Sequence, residues 1–171
     1  MRRSLAALAL AASWACAAPS ATLTDAHRAA IADSARTIVD SLLAGANRGD
    51  VSAAFAAYSP GPDARYVENG MTYGSLDSVK VTYARMLAGL DSMALTANGF
   101  HADVLDADAV VTTVPFRFRM KPKGRAMVEG TGVWTGVLAR GEGGWMIVSS
   151  HESWNDPGPK VTAAMSAMPR P

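Results

Sequence analysis

The sequence has 171 residues and a single cysteine, Cys16, so no disulfide can form within the chain. It has three histidines, His27, His101 and His151, which lie far apart and share no metal-ligand spacing. CxxC, HExxH and glycine-rich phosphate loops are all missing, and neither a metal nor a cofactor is expected. Charge of one sign is missing too: 16 basic residues face 15 acidic ones, with no basic stripe. That argues against nucleic acid as a partner. No apolar run reaches the ~20 residues a spanning helix requires. What remains is 49% apolar and 18% charged, the balance of one globular domain with a sizeable core.

The first stretch, "MRRSLAALALAASWACAAPSA", stands apart from that domain. Arg2 and Arg3 form a basic start, Leu5 to Ala12 a short apolar run, and small residues follow, so residues 1–17 read as an export signal. "SWAC" is similar to a bacterial lipobox, which would lipidate Cys16 after cleavage before it. It departs from that pattern at Ser13, where leucine is usual, and at bulky Trp14. Cleavage after Ala17 or Ala18, releasing a soluble protein, fits as well. The expected location is therefore exported: periplasmic, anchored as a lipoprotein, or secreted. Membrane contact is expected only through a lipid anchor at Cys16. Loss of Arg2 and Arg3 leaves 14 basic residues against 15 acidic ones, a net charge of −1.

From Thr24 the pattern is helical. Thr24 can cap, and Ile31, Ile38, Leu42 and Ala46 form a stripe that ends near Gly49. Asp50 can cap a second helix, "VSAAFAAY", which stops at "SPGPDA". Asn69-Gly70 is a two-residue turn signal between short strands. Ser75 opens a third helix, with Leu76, Val79, Tyr83, Met86 (or Leu87) and Leu90 inward. The period then changes to two. "ALTANGFHADVLD", "AVVTTVPFRFRM", "RAMVEGTGVWTGVLA" and "GWMIVSSHESW" read as four strands of an antiparallel meander. Val110, Thr112, Val114, Phe116, Phe118 and Met120 share one face, and Arg117 and Arg119 lie on the other. Gly130, Gly132 and Gly136 share a face with Trp134 and permit a bend. The expected fold is α+β: three N-terminal helices packed on a strongly curved antiparallel sheet, a cone-shaped α+β barrel, over residues 24–154. Residues 155–171, rich in Pro, Ala and Met, read as a flexible tail or an arm on a neighbour.

The last strand raises a question of its own. By strict alternation Trp145, Ile147, Ser149, His151 and Ser153 share one face. That face begins apolar and ends polar, as if it reached a cavity.

In this order of elements the chain resembles the nuclear transport factor 2-like superfamily, and within it the SnoaL-like group. Two stretches carry the likeness: "DARYVENGMTYGS", leading into the third helix, and "GVLARGEGGWMIVSSHESW", the last hairpin. The resemblance implies a conical pocket and a homodimer. It does not name a reaction, because the superfamily holds isomerases, dehydratases, hydrolases, ligand carriers and dimerisation modules. Its steroid-isomerase branch implies a base at Glu68 or Asn69, a tyrosine on the first helix and an acid in the sheet. The first helix has no tyrosine and "GTGVWTG" has no acid, so that chemistry is disfavoured.

The candidate catalytic pair is His151 with Glu68, an imidazole suited to proton transfer near neutrality beside a carboxylate. The alternative is a histidine bonded to a backbone carbonyl or a serine. The candidate ligand contacts are Tyr66, Asn69, Tyr73 and Tyr83, together with Phe116, Phe118, Trp134 and Ser149. Each also reads as ordinary packing or strand structure. The leading expectation is an exported domain whose apolar pocket binds a small hydrophobic or amphipathic molecule. The alternatives are a cofactor-free lyase, isomerase or hydrolase using His151, and a dimerisation module with a filled pocket.

Overall fold

The computed structural model describes residues 22–155. The expected signal, Cys16 and the tail beyond Asn155 lie outside the described residues. Helix α1, Asp25–Asn47, opens where Thr24 accepts a hydrogen bond from the His27 N–H at 3.2 Å. It buries Ile31, Ala35, Val39 and Ala46. The chain leaves it through Gly49 at φ 68°, a left-handed position that glycine takes without a Cβ penalty. Asp50 then caps α2, Val51–Ala54. This helix is half the length that "VSAAFAAY" predicts. The reason is tertiary: Ile147 N–H donates to Ala57 C=O at 2.8 Å and Ser59 N–H to Ile147 C=O at 2.9 Å. Pairing with the last strand takes backbone groups that a longer helix would use.

Strands β1, Arg65–Glu68, and β2, Met71–Tyr73, are joined by Asn69 and Gly70, both at positive φ (47° and 82°). That is the conformation a two-residue hairpin turn of matching twist demands. Ser75 and Ser78 bond reciprocally to cap α3, Leu76–Ala88. Leu90, expected on the buried face of α3, instead begins β3 (Leu90–Ala97). The stretch expected as one strand after α3 is two, β3 and β4 (His101–Val104), paired in succession along β5 (Ala109–Pro122). Pro115 sits where they part. Its carbonyl accepts from Asn98 N–H at 2.7 Å, and its missing N–H points to the same gap, where no ladder bond is lost. β6 (Val128–Gly141) and β7 (Gly144–Trp154) complete an antiparallel run.

The sheet order is β2-β1-β7-β6-β5-β3, with β4 also on β5 and β1 parallel to β7. It is an open, curved sheet. Helix α3 touches β2 at one edge and β3 at the other, so the sheet curls until a single helix spans its ends. The inward face of β5 is the one its alternation predicts, and Val110, Thr112 and Phe118 are fully buried there. Two glycines on β6 make room for rings. A Cβ on Gly136 would stand 2.1 Å from the Trp134 indole, and one on Gly132 would stand 2.5 Å from Phe116.

Candidate functional site

The site depends on one extra residue in β7. Leu138 of β6 pairs with Ile147, and the next pair is Val137 with Ser149, so Val148 has no partner. Such a bulge advances the strand by one residue and exchanges its faces. Ile147 is inward and fully buried; beyond the bulge Ser150, Glu152 and Trp154 turn inward. His151 therefore lies on the outer face, exposed, beside Val67 of β1 and Thr135 of β6. The strict alternation that carried His151 inward is reversed, and the carboxylate of its neighbour Glu152 occupies the interior.

β1 pairs with β7 in parallel, with Tyr66 beside Ser150 and Glu68 beside Glu152. Two carboxylates thus stand on adjacent strands facing one cavity of about 80 Å³, lined by aromatic and aliphatic side chains. Tyr66, Tyr73, Tyr83 and Trp134 line it, as the sequence suggests. A side cavity of about 30 Å³ continues past Trp134 and Glu152 and is bounded by Phe116 and Val114. Phe118 lines neither; it is buried with its ring centroid 4.6 Å from that of Trp154. Ser149 is half-buried and lines neither cavity, its place on the inner face being taken by Ser150. Asn69 is in the exposed turn, where it holds the end of β7: its N–H donates to Glu152 C=O and its side-chain oxygen accepts from Trp154 N–H, both at 2.9 Å.

The polar groups of the cavity are tied together. Tyr73 hydroxyl donates to Glu68 Oε2 at 3.2 Å, and Trp154 Nε1 donates to Glu152 Oε1. Trp134 Nε1 donates to Tyr58 hydroxyl at 3.2 Å. Tyr83 hydroxyl finds only the Met93 sulfur, at 4.0 Å. No Lys, Arg or His lines the cavity, and among the described residues neither glutamate has an ion-pair partner. Burial, and then the charge of Glu68, push the Glu152 carboxyl up to about 8 against the opposing Trp154 hydrogen bond. Burial also raises Glu68, opposed by the Tyr73 bond. The two acids titrate as a coupled pair, and both carboxyls are harder to ionise than free glutamate. Burial, followed by the carboxylate charges, holds the hydroxyls of Tyr58, Tyr73 and Tyr83 neutral, well above the usual tyrosine range.

Glu152, Trp154, Ser150 and Tyr58 are absent from the sequence-derived candidates. One signal for them was present: Ile147 and Trp154 are large and apolar but seven residues apart. An unbroken strand puts residues at an odd spacing on opposite faces, so burying both requires a bulge between them.

With this geometry in place, the SnoaL-like domain family matches residues 35–157. The chain belongs to that family. Solved structures share the fold. A nuclear transport factor 2-like protein from Salmonella enterica serovar Typhimurium is 14% identical, with TM-score 0.69, 77% of this chain and 96% of that one covered. A nuclear transport factor 2-like protein of Shewanella oneidensis is 21% identical, with TM-score 0.55, over 71% and 97%. A hexachlorocyclohexane dehydrochlorinase from Novosphingobium barchaimii is 14% identical, with TM-score 0.67, over 78% and 92%. At such identities the likeness concerns the fold alone. A search of curated proteins finds no match.

Proposed function

We propose that this SnoaL-like domain binds a small organic molecule in the aromatic cavity, with Glu68 and Glu152 meeting its polar group. One observation carries the reading: two carboxylates, register partners on β1 and β7, face one aromatic-lined space together. Ligand sites combine an apolar wall with a few convergent polar groups in this way. The cavity is well below the ~300 Å³ of pockets for drug-sized ligands, so the occupant is a compact molecule or one compact group of it. The same small volume also fits the alternative of a dimerisation module whose interior is largely filled by its own side chains.

A second reading is a cofactor-free acid–base enzyme of lyase, isomerase or hydrolase type. The raised Glu152 carboxyl, pushed up to about 8, favours it, since a group that holds its proton near neutrality can act as general acid beside a second carboxyl. The pair in that role is Glu68 with Glu152, and His151 has no part in it. Export through residues 1–17 rests on the sequence pattern and pairing of two copies on the superfamily resemblance, and both belong to the same proposal. The mass and oligomeric state of protein from its own host would test both.

Ligand-observed NMR with a library of compact amphipathic molecules tests the binding reading. Compounds should bind the native protein and a His151→Ala variant alike, and Val79→Phe, which fills the cavity wall, should abolish binding. No binding at millimolar concentration, or undiminished binding to a folded Val79→Phe variant, would overturn the reading.

A further inference from the structure

We propose that the occupant of the cavity is a small organic cation, an alkylammonium group seated between Glu68 and Glu152 and walled by aromatic rings. This inference deepens the small-molecule reading and rests on it. Three independent features of the cavity favour a cation over a neutral or anionic ligand.

The first is charge. Two carboxyl groups face one space, and among the described residues no basic side chain lines it to balance their ionised form. A half-buried acid pair without a cationic partner is costly to ionise, so a ligand that supplies the opposite charge gains what the fold leaves unmet. The second is the pattern of free acceptors. Tyr73 occupies Oε2 of Glu68 and Trp154 occupies Oε1 of Glu152; among the described residues no donor reaches the other oxygen of either. Tyr83 hydroxyl likewise has only a thioether near it. An ammonium group brings three N–H donors and no acceptor, which matches three oxygen acceptors. The third is the wall. The indole of Trp134 and the rings of Tyr58 and Tyr83 line the same space, and ring faces attract a desolvated cation. The apolar side cavity beyond Trp134 and Glu152 gives an alkyl substituent somewhere to go.

The titratable groups facing the site are Glu68 on β1, Tyr73 on β2, Tyr83 on α3, Tyr58 and Tyr66 before and on β1, and Glu152 on β7. The tyrosines stay neutral, so a bound cation acts on the two acids. It favours their ionised form, and binding near neutrality should therefore release protons to solvent.

Three probes separate the possibilities at neutral pH: tert-butylammonium and tert-butanol, which are nearly isosteric, and trimethylacetate, which carries the opposite charge on the same tert-butyl group, each measured by titration calorimetry in two buffers of different ionisation enthalpy. The ammonium should bind roughly tenfold or more tightly than the alcohol, with the carboxylate weakest, and its binding should release protons. Glu68→Gln together with Glu152→Gln keeps the shape and should erase both the preference and the proton release, with folding checked by thermal melting. Equal binding of ammonium and alcohol, or a preference that survives in the folded double variant, would overturn the cation assignment and leave the small-molecule reading standing. Binding of none of the three would remove both.

Discussion

Glu68 and Glu152 are register partners across the parallel β1–β7 pair, and each raises the cost of ionising the other. The folded protein therefore holds protons that the unfolded chain has already released. Above the ordinary glutamate value of 4.5 and up to about 8, the native state binds more protons than the unfolded state. Stability must fall with rising pH through that window and level off beyond it. The Glu152 shift from 4.5 to about 8 sets a loss of up to about 5 kcal/mol, at about 1.4 kcal/mol per pK unit. Urea unfolding at a series of pH values checks the slope, and Glu152→Gln should remove most of it. A flat profile in the native protein would contradict a buried, like-charged pair.

Deleting Val148 tests the bulge. Without it Ser149 directly follows Ile147 and still lies opposite Val137, so Glu152 and Trp154 stay inward and the variant should still fold, losing about 1–3 kcal/mol with the local bulge geometry. Val148→Ala keeps the residue count and should cost no more than about 1–2 kcal/mol. Chemical denaturation of the two variants measures both costs. An unfolded deletion variant would mean that the bulge does more than set the register.

Gly45 marks the tightest approach of α1 to α2. A Cβ there would lie 2.4 Å from the Ala54 backbone nitrogen, and backbone cannot swing aside. Gly45→Ala should therefore destabilise by about 2–4 kcal/mol, despite alanine's better helix propensity. Gly143→Ala, in the β6–β7 turn with open space around its Cβ position, should stay within about 0.5 kcal/mol of the native protein. Thermal melting of both variants distinguishes a steric clash from a general intolerance of side chains.

Asn47 ties the end of α1 to the edge strand β3. Its amide nitrogen donates to Leu95 C=O at 2.9 Å and its oxygen accepts Leu95 N–H at 2.6 Å. Losing both bonds in Asn47→Ala should cost about 1–2 kcal/mol. Hydrogen exchange should show the Leu95 amide opening faster, with β6 little changed. Equal protection at Leu95 in the variant would show the clamp to be unnecessary.

Local chemistry was legible in the sequence at many points. Thr24, Asp50 and Ser75 cap the helices they appear to cap, because a cap needs only a short polar side chain and the next turn. Asn69-Gly70 makes its turn for an equally local reason. The inward face of β5 follows from period two, which 14 uninterrupted residues preserve. The elements that differ do so where a distant strand intervenes. α2 stops early because Ile147 bonds the backbone around Tyr58, and one expected strand splits opposite Pro115.

The site shows the same division. Its tyrosines and Trp134 were visible as candidates because large amphipathic side chains in strands and helices point to a cavity wall. The second acid was not visible. Composition, capping and alternation determined which segments become helix or strand and which faces are apolar. Only the folded sheet decided that Val148 is skipped and that β1 lies parallel to β7, which puts Glu152 rather than His151 beside Glu68. The reason is that strand register comes from pairing between distant segments, and one unpaired residue reverses every side chain after it.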